Sequence, residues 1–413
     1  MDKNTKISSK TLVATADVSK GKHTGYFRTM DDDTVKPFEF SNTLKGFNEF
    51  LGRIMRYKEK HKIENIIFGC ESTGSYGFPL VQFMENSGVY TVQVNPKHIK
   101  RIKEITDNSP NKTDKKDPKV IADLIVLGRY LQINLPEGSI ADLRCKVIYR
   151  ENLLEDITRI NNRLEGLIAQ FFPELLTITG NFKSKTARYL LEHYPAPSDL
   201  LSLGKEQLTK ELKKVSRGKF HSEKATDLIN HAINSIGLKE GIQGYRDQIT
   251  CYMAQLKLLH HQLDEKEAEI DKILKTLPVS KLLLSMKGLG RVTVAIIISE
   301  IVDFNNFTVI PEIIKYAGLN LFEISSGKKR GQKRISKRGR SLIRKALYFA
   351  SLSMVRRGGV FHEDYKRHLS HGMKPTKALV AITRKLLRVI FAMVRDNKEF
   401  VKTKEEMIIK TAA

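Results

Sequence analysis

Cysteine is scarce in this chain, acid is outnumbered, and no long apolar run interrupts it. The three cysteines, Cys70, Cys145 and Cys251, are far apart and form no CxxC pair, which argues against a zinc site and suits reduced, structural thiols. The strongest apolar stretch, residues 292–298, falls far short of the roughly 20 residues a membrane helix needs. The first ten residues lack the apolar segment of a secretory leader. A cytoplasmic protein with no membrane partner is therefore expected. The shortage of acid is the most informative absence. Lys and Arg number 71 against 46 Asp and Glu, a formal net charge of +25. A compact chain with that excess repels itself unless a polyanion neutralises it, so nucleic acid is the leading partner and an acidic membrane surface the second.

A chain of 413 residues, 41% of them hydrophobic, is long enough for two or three domains with real cores. The first third reads as mixed α/β. Residues 11–17 alternate as a half-buried strand does, Gly21 and Gly25 flank a turn, and strands are expected at 25–30 and 35–40. A helix follows over 43–61, then a buried strand over 65–70 ending at Glu71. Residues 78–86 read as helix, with Pro79 tolerated in its first turn, 89–94 as strand and 115–130 as helix. Three early antiparallel strands followed by α/β alternation is the order of an RNase H-like fold.

The middle is helical. Leu153, Ile157, Ile160, Leu164 and Leu167 are spaced as a heptad seam, and a second seam runs through Ile249, Met253, Leu256, Leu263, Ile270, Leu274 and Leu277. Two amphipathic helices packed in one domain would give the same pattern. A polar helical insert at about 180–240 favours a protruding antiparallel coiled coil that serves dimerisation or holds nucleic acid. Past Pro278, the run Lys287-Gly288-Leu289-Gly290 lies between two apolar helical segments and resembles a helix-hairpin-helix. Its glycines let backbone N–H groups approach a phosphate, although a purely structural hairpin has the same sequence. Ala378, Ala381, Leu386 and Ile390 mark a final packing helix.

Four acids carry the chemistry. Asp17 and Glu71 end strands, and Asp114 and Asp117 open a helix, where a spacing of three puts both on one face. Each alone suits a solvated strand end or a helix cap. Together they are hard oxygen ligands of the kind that Mg²⁺ requires for phosphodiester chemistry. Their surroundings are basic: Lys97, His98, Lys100, Arg101, Lys103, Lys112, Lys115 and Lys116 lie close in sequence.

In the last third, Ser325-Ser326-Gly327 precedes an acid-free run of cations: Lys328, Lys329, Arg330, Lys333, Arg334, Lys337, Arg338, Arg340, Arg344 and Lys345. Gly331 and Gly339 interleave it, and an apolar helix at 342–352 follows directly, which points to an ordered phosphate-binding loop. A serine hydroxyl beside a phosphate is a usable nucleophile when cations stabilise the developing charge, while a serine-glycine pair by itself is most often a turn. His362, His368 and His371 are conceivable ligands whose spacing matches no common metal site.

Taken in order, these pieces resemble the DEDD-type serine transposases of bacterial insertion sequences, which include the Piv invertase and MooV-like proteins and are guided by a bridge RNA. Ala16-Asp17-Val18-Ser19-Lys20 is similar to the first-strand motif and Glu71-Ser72-Thr73-Gly74-Ser75-Tyr76 to the second. Asn95-Pro96-Lys97 with Lys112-Thr113-Asp114-Lys115-Lys116-Asp117 is similar to the third. Residues 288–304, Tyr316-Ala317-Gly318-Leu319, Ser326-Gly327 and Ile335-Ser336-Lys337-Arg338-Gly339 follow in family order. Pro118 and Lys287 depart from the pattern, where the family has a small residue and often proline.

The resemblance implies a RuvC-like domain over 1–138, a helical coiled-coil region with its insert over 139–277, and a mainly α C-terminal transposase domain over 278–413. It implies Mg²⁺ on Asp17, Glu71, Asp114 and Asp117, and a 5′-phosphoserine link through Ser326, with Ser325 adjoining as the other candidate. Lys97, Arg101, Lys112, Gly288, Gly290, Lys328, Lys329, Arg330, Lys333, Arg334, Lys337, Arg338 and Arg340 are expected to hold nucleic acid. Implied partners are DNA, at the element ends and the target, a structured guide RNA, and further copies of the chain in a dimer or tetramer. A RuvC-like nuclease or junction resolvase that cuts with metal-activated water is the other activity these residues suit.

Overall fold

The structure is a computed structural model that describes residues 7–71, 76–107, 117–133, 135–179, 182–218, 220, 222–323, 331 and 333–400. It divides into two compact units, Met1–Leu135 and Pro136–Ala413.

The first unit is a mixed α/β domain. Its elements in order are β1 (Thr11–Asp17), β2 (Lys22–Arg28), β3 (Phe38–Ser41), α1 (Leu44–Lys60), β4 (Asn65–Glu71), α2 (Phe78–Asn86), β5 (Tyr90–Val94), α3 (Pro96–Asp107), α4 (Asp117–Val126) and β6 (Leu131–Gln132). They form one sheet in the order β3-β2-β1-β4-β5-β6. The β1–β4 and β4–β5 pairings at its centre are parallel, and the outer three are antiparallel.

Side chains alternate between the two faces of a strand, so register assigns each residue to a layer. Leu12, Ala14, Ala16, Phe68 and Cys70 pack with Phe47, Phe50 and Ile54 of α1 and Leu80 and Met84 of α2. On the other face, Val13, Ile67, Val92 and Val94 pack with Ile99 of α3 and Val120, Ile121, Leu124 and Ile125 of α4. With helices on both faces, β1 is buried from Thr11 to Ala16 and is not the half-exposed strand its alternation suggested. Its threonines are accommodated because their hydroxyls find partners: Thr15 Oγ1 donates to the Pro118 carbonyl at 2.7 Å.

Gly25 lies inside β2, not beside a turn, and β2 begins three residues earlier than expected. A Cβ there would meet Phe50 Cε2 at 2.8 Å, so the glycine is required by the ring of α1 packed on it. Thr43 caps α1 by accepting from the Gly46 N–H at 3.2 Å. The described part of the helix expected over 115–130 spans Asp117–Val126.

The second unit is mostly helical. It contains α5 (Gly138–Phe171), α6 (Pro173–Thr179), α7 (Lys185–His193), α8 (Pro197–Leu203), α9 (Lys205–Val215), α10 (Ser222–Ile233), α11 (Ile242–Thr276), α12 (Pro278–Leu284), α13 (Arg291–Ile301), α14 (Ile310–Tyr316), β7 (Leu321–Phe322), β8 (Arg334–Ile335), α15 (Ser341–Met354), α16 (His362–Ser370) and α17 (Pro375–Asp396). The two long helices run antiparallel. Arg150 of α5 pairs with Glu267 of α11 at 2.7 Å, whereas Phe171 at the other end of α5 stacks on Tyr245 at 4.6 Å. The two seams face inward: Leu153, Ile157, Ile160, Leu164, Ile249, Met253, Leu256, Ile270 and Leu274 are all buried.

The insert between them is not a polar passenger. Leu190, Leu191, Leu200, Leu208, Leu212 and Leu228 of α7 to α10 share a core with Ile157 to Ile168 and with Tyr245 to Leu256. One half of the helical pair is therefore wrapped by the insert, whose leucines form a core where the sequence suggested a polar segment. A second core joins the other half to α12–α15 and α17, through residues such as Leu143, Leu283, Ile297, Leu347 and Leu386. The last helix among the described residues is α17, in which Ala378, Leu386 and Ile390 are buried and Ala381 is half-buried.

Candidate active site

Asp17 and Glu71 are brought together by strand register. Ala16 pairs with Cys70 across the parallel β1–β4 ladder, and the next residue on each strand is the acid. Both acids end their strands half-buried, while the residues before them are buried. By alternation both belong to the face that carries Val13 and Ile67, which is the face covered by α4.

That helix starts at the third acid. Asp117 opens α4 and is buried, and Pro118 sits in the first turn, where a missing N–H costs nothing. The Thr15–Pro118 hydrogen bond holds this helix start against β1, two residues before Asp17. Further contacts fix the helix along its length. Arg28 of β2 donates to Asp123 at 2.7 Å. A Cβ on Gly69 would lie 2.2 Å from Ile125 Cδ1, so the glycine lets α4 rest close on β4. Asp17, Glu71 and Asp117 thus share one face and one end of the sheet.

Asp114 lies outside the described residues, and so does any shared helical face with Asp117, because the described helix begins at Asp117 itself. Among the described residues no three His, Cys, Asp or Glu side chains are gathered closely enough to hold a metal ion. The chemistry of the donor set nevertheless fits a hard divalent cation: carboxylates alone, at the ends of adjacent strands and at a helix start. Cys70, one residue before Glu71, contributes no ligand. Burial, with Glu71 beside it, pushes its thiol up to about 12, so it stays protonated.

The cations expected to flank the acids emerge at the same end. Val94 pairs with Glu71, and α3 starts two residues later. Asn95 Oδ1 accepts from the Lys97 N–H at 2.9 Å and opens that helix. Lys97 and Arg101, four residues apart and both exposed, lie on the solvent side, while Ile99 is buried. Lys112 lies outside the described residues.

In the second unit, Gly288 and Gly290 occupy the turn between α12 and α13. Gly288 has φ +103°, and a Cβ would meet Met354 Cγ at 2.8 Å, so α15 packs directly on this backbone. At Gly290, which precedes α13, a Cβ would meet no neighbour within 4 Å. Ser325, Ser326, Lys328, Lys329 and Arg330 lie outside the described residues. The segment that holds them leaves from a two-stranded ribbon in which Phe322 pairs with Arg334 and Leu321 with Ile335.

Glycines lock the base of that ribbon. A Cβ on Gly339 would stand 2.3 Å from the Tyr316 carbonyl oxygen, and the Lys337 N–H donates to the Gly318 carbonyl at 3.0 Å. Lys333, Arg334, Lys337 and Arg338 are exposed there. Arg340 has internal work: it lies 3.8 Å from the buried Glu300 and over the Tyr316 ring. The Tyr316 hydroxyl donates to the Glu300 carbonyl at 2.6 Å, and burial raises its phenol above the usual value. This Glu300–Tyr316–Arg340 cluster was not visible in the sequence, because the three residues lie on different elements. His362 and His371 bond backbone carbonyls of Val355 and Arg367 at 2.8 and 2.6 Å. Of the cysteines, Cys145 and Cys251 are exposed, so only Cys70 has the expected structural setting.

Two family models match the chain. The DEDD transposase model of the IS110 type covers residues 14–173, and the transposase model of the IS116/IS110/IS902 family covers residues 280–366. The chain is 27% identical to the "Insertion element IS110 uncharacterized 43.6 kDa protein" of Streptomyces coelicolor over 301 residues, 72% of this chain and 74% of that one. It is 23% identical to the "Insertion element IS116 uncharacterized 44.8 kDa protein" of Streptomyces clavuligerus, over 93% of this chain and 94% of the relative. A Mycobacterium paratuberculosis protein, the "Insertion element IS900 uncharacterized 42 kDa protein", is 27% identical over 69% of this chain and 72% of its own length. The protein is a DNA transposase. It is similar to transposases of the IS110/IS116/IS902 family over residues 14–173 and 280–366. Its first match spans all four acids, and its second spans the Gly288 turn, the ribbon and the serine pair. No helix among the described residues is long and apolar enough to cross a membrane.

Proposed function

We propose that this transposase cuts and rejoins DNA with four carboxylates and a serine. The observation that supports the proposal is that Asp17, Glu71 and Asp117 stand on one face at one end of the sheet, by register and by the Thr15–Pro118 bond. In this scheme the first unit is an RNase H-like, RuvC-like domain, and Asp114 completes a set that would hold Mg²⁺. Bound there, the ion would polarise the scissile phosphate and offset the charge that builds on its oxygens. Lys97, Arg101 and Lys112 hold the adjoining DNA backbone. The helical pair with its insert, and the C-terminal region from 278 on, act as further domains.

Ser326 supplies the nucleophile. Its hydroxyl loses a proton, its oxygen bonds to phosphorus, and the bond to the 3′ oxygen breaks. A free 3′ hydroxyl and a serine esterified to the 5′ phosphate result. Lys328, Lys329, Arg330, Lys333, Arg334, Lys337 and Arg338 steady the phosphate's charge, and the backbone around Gly288 and Gly290 holds DNA. The excess of cations also suits a structured guide RNA that chooses target and element ends, bound by a dimer or tetramer.

Incubation with element-end DNA and Mg²⁺, followed by denaturing electrophoresis, tests the serine. The wild-type chain and Ser325→Ala are expected to yield a covalent protein–DNA band, and Ser326→Ala none. Nicked DNA without any band in the wild type, with nicking undiminished in Ser326→Ala, would replace the serine by metal-activated water.

A further inference from the structure

The first unit carries a second cationic feature, on the opposite face of the sheet from the acids. A groove of about 460 Å³ opens where the C-terminal half of α1 passes the edge strand β3 and its neighbour β2. Its rim is Lys36, Arg53, Arg56 and Lys60, all exposed, and no acid lines it. The floor is aromatic, with Phe27, Phe38 and Tyr57.

Three properties of this groove point to a ligand. First, among the described residues none of the four rim cations pairs with a carboxylate, whereas Lys10 and Lys22 of the same unit pair with Glu64 and Glu39. Holding four like charges around one depression is unfavourable unless an anion fills it. Second, the cations are in line. Arg53, Arg56 and Lys60 are spaced three and four apart on one face of α1, a row about 10 Å long. A nucleic-acid strand carries one phosphate per roughly 3.4 Å of duplex axis, and fewer per unit length when extended. The row therefore spans two or three consecutive phosphates. Third, a planar platform sits beside the row. The Arg53 guanidinium lies 4.3 Å from the Phe38 ring centroid, and Tyr57 is held in place by donating to Asp32 at 2.6 Å. Aromatic and guanidinium planes beside a phosphate track are what unpaired bases stack on, and a paired base exposes no face to them.

We propose that this groove binds single-stranded DNA, with backbone phosphates along Arg53, Arg56 and Lys60 and a base on the Arg53–Phe38 platform. DNA is the occupant because the chain is a DNA transposase. Phe27, Phe38 and Tyr57 belong to the core on the α1 face of the sheet, whereas the acids belong to the α4 face, so the groove is separate from the acids. It would hold a displaced or unpaired strand while duplex is processed elsewhere. The proposal does not depend on the acids or the serine, because binding needs neither.

Fluorescence anisotropy of the full chain with labelled oligothymidylate, without divalent metal, tests it. The triple variant Arg53→Ala, Arg56→Ala, Lys60→Ala is expected to bind roughly tenfold or more weakly, with the slope of log affinity against log salt reduced by about 2. A control triple variant at Lys210, Lys213 and Lys214 of α9 removes the same charge and is expected to bind within about twofold of the wild type. Arg53→Lys keeps the charge but not the plane, and is expected to weaken oligothymidylate several-fold while leaving duplex binding unchanged. All altered residues are exposed, so wild-type thermal midpoints are expected for every variant and serve as the folding control. Wild-type affinity in the groove variant, an equal loss in the control, or equal losses for duplex and single strand would each overturn the proposal.

Discussion

The two units use different devices to place their candidate functional groups. In the first, strand register and one side-chain-to-backbone hydrogen bond put three acids at one end of a sheet. In the second, close backbone approach does the work: Gly288 lies under Met354, and Gly339 lies against Tyr316 and Gly318. A site set by register tolerates changes in packing as long as the strands stay paired. A turn set by glycine contacts is strained when a single methyl group is added. The first device separates binding chemistry from stability, and the second fuses them.

The comparison is broken most severely at the acids. Asp117→Asn is nearly isosteric at the start of α4, so it is expected to leave the fold intact and reduce DNA cleavage by about 10³-fold or more. Cleavage rate beside a thermal melt checks this, and a melt that collapses together with activity would deny the separation. The glycine device is tested by Gly288→Ala. Its positive φ and the Met354 contact together are expected to cost about 1–3 kcal/mol, read as a lower midpoint in denaturant.

Gly69→Ala probes the same principle inside the first unit. The new methyl meets Ile125 Cδ1 at 2.2 Å and Val92 Cγ2 at 3.3 Å, so the cost is expected to be about 1–2 kcal/mol, and Ile125→Val should recover part of it by removing Cδ1. The smallest effect concerns His23, which is buried among aromatic rings and accepts from the Ser19 N–H at 3.2 Å through Nδ1. Burial lowers its pKa below the ordinary value. The unfolded chain takes up the proton more readily, so the stabilisation is present above about pH 6.5 and is lost as pH falls through that value. Thermal midpoints between about pH 7.5 and pH 5.5 should drop, and His23→Gln should flatten that drop.

Much of the first unit was legible in the sequence, because its strands are short apolar runs that end at charged residues. Asp17 and Glu71 stood out as strand ends, and Asp117, with Asp114, as the start of a helix. What misled was the meaning of local signals. Gly25 resembles a turn residue, yet it is the space that Phe50 fills. Thr11 and Thr15 resemble an exposed face, yet hydroxyl partners allow them to be buried. In the helical unit the two seams were visible by period, but the insert's leucines were hidden among charges, and their common core forms only when five short helices assemble. The groove around Arg53 was not visible at all, since its rim joins a loop residue, Lys36, to a row on α1 that reads as an ordinary solvated face.

The central claim is that the scattered acids act as one cation site. Titration of Mn²⁺ into the full chain, with free ion followed by electron paramagnetic resonance, measures this without any DNA. Asp17→Asn, Glu71→Gln and Asp117→Asn should each weaken the tightest binding by roughly tenfold or more. Wild-type Mn²⁺ affinity in all three variants would contradict the account.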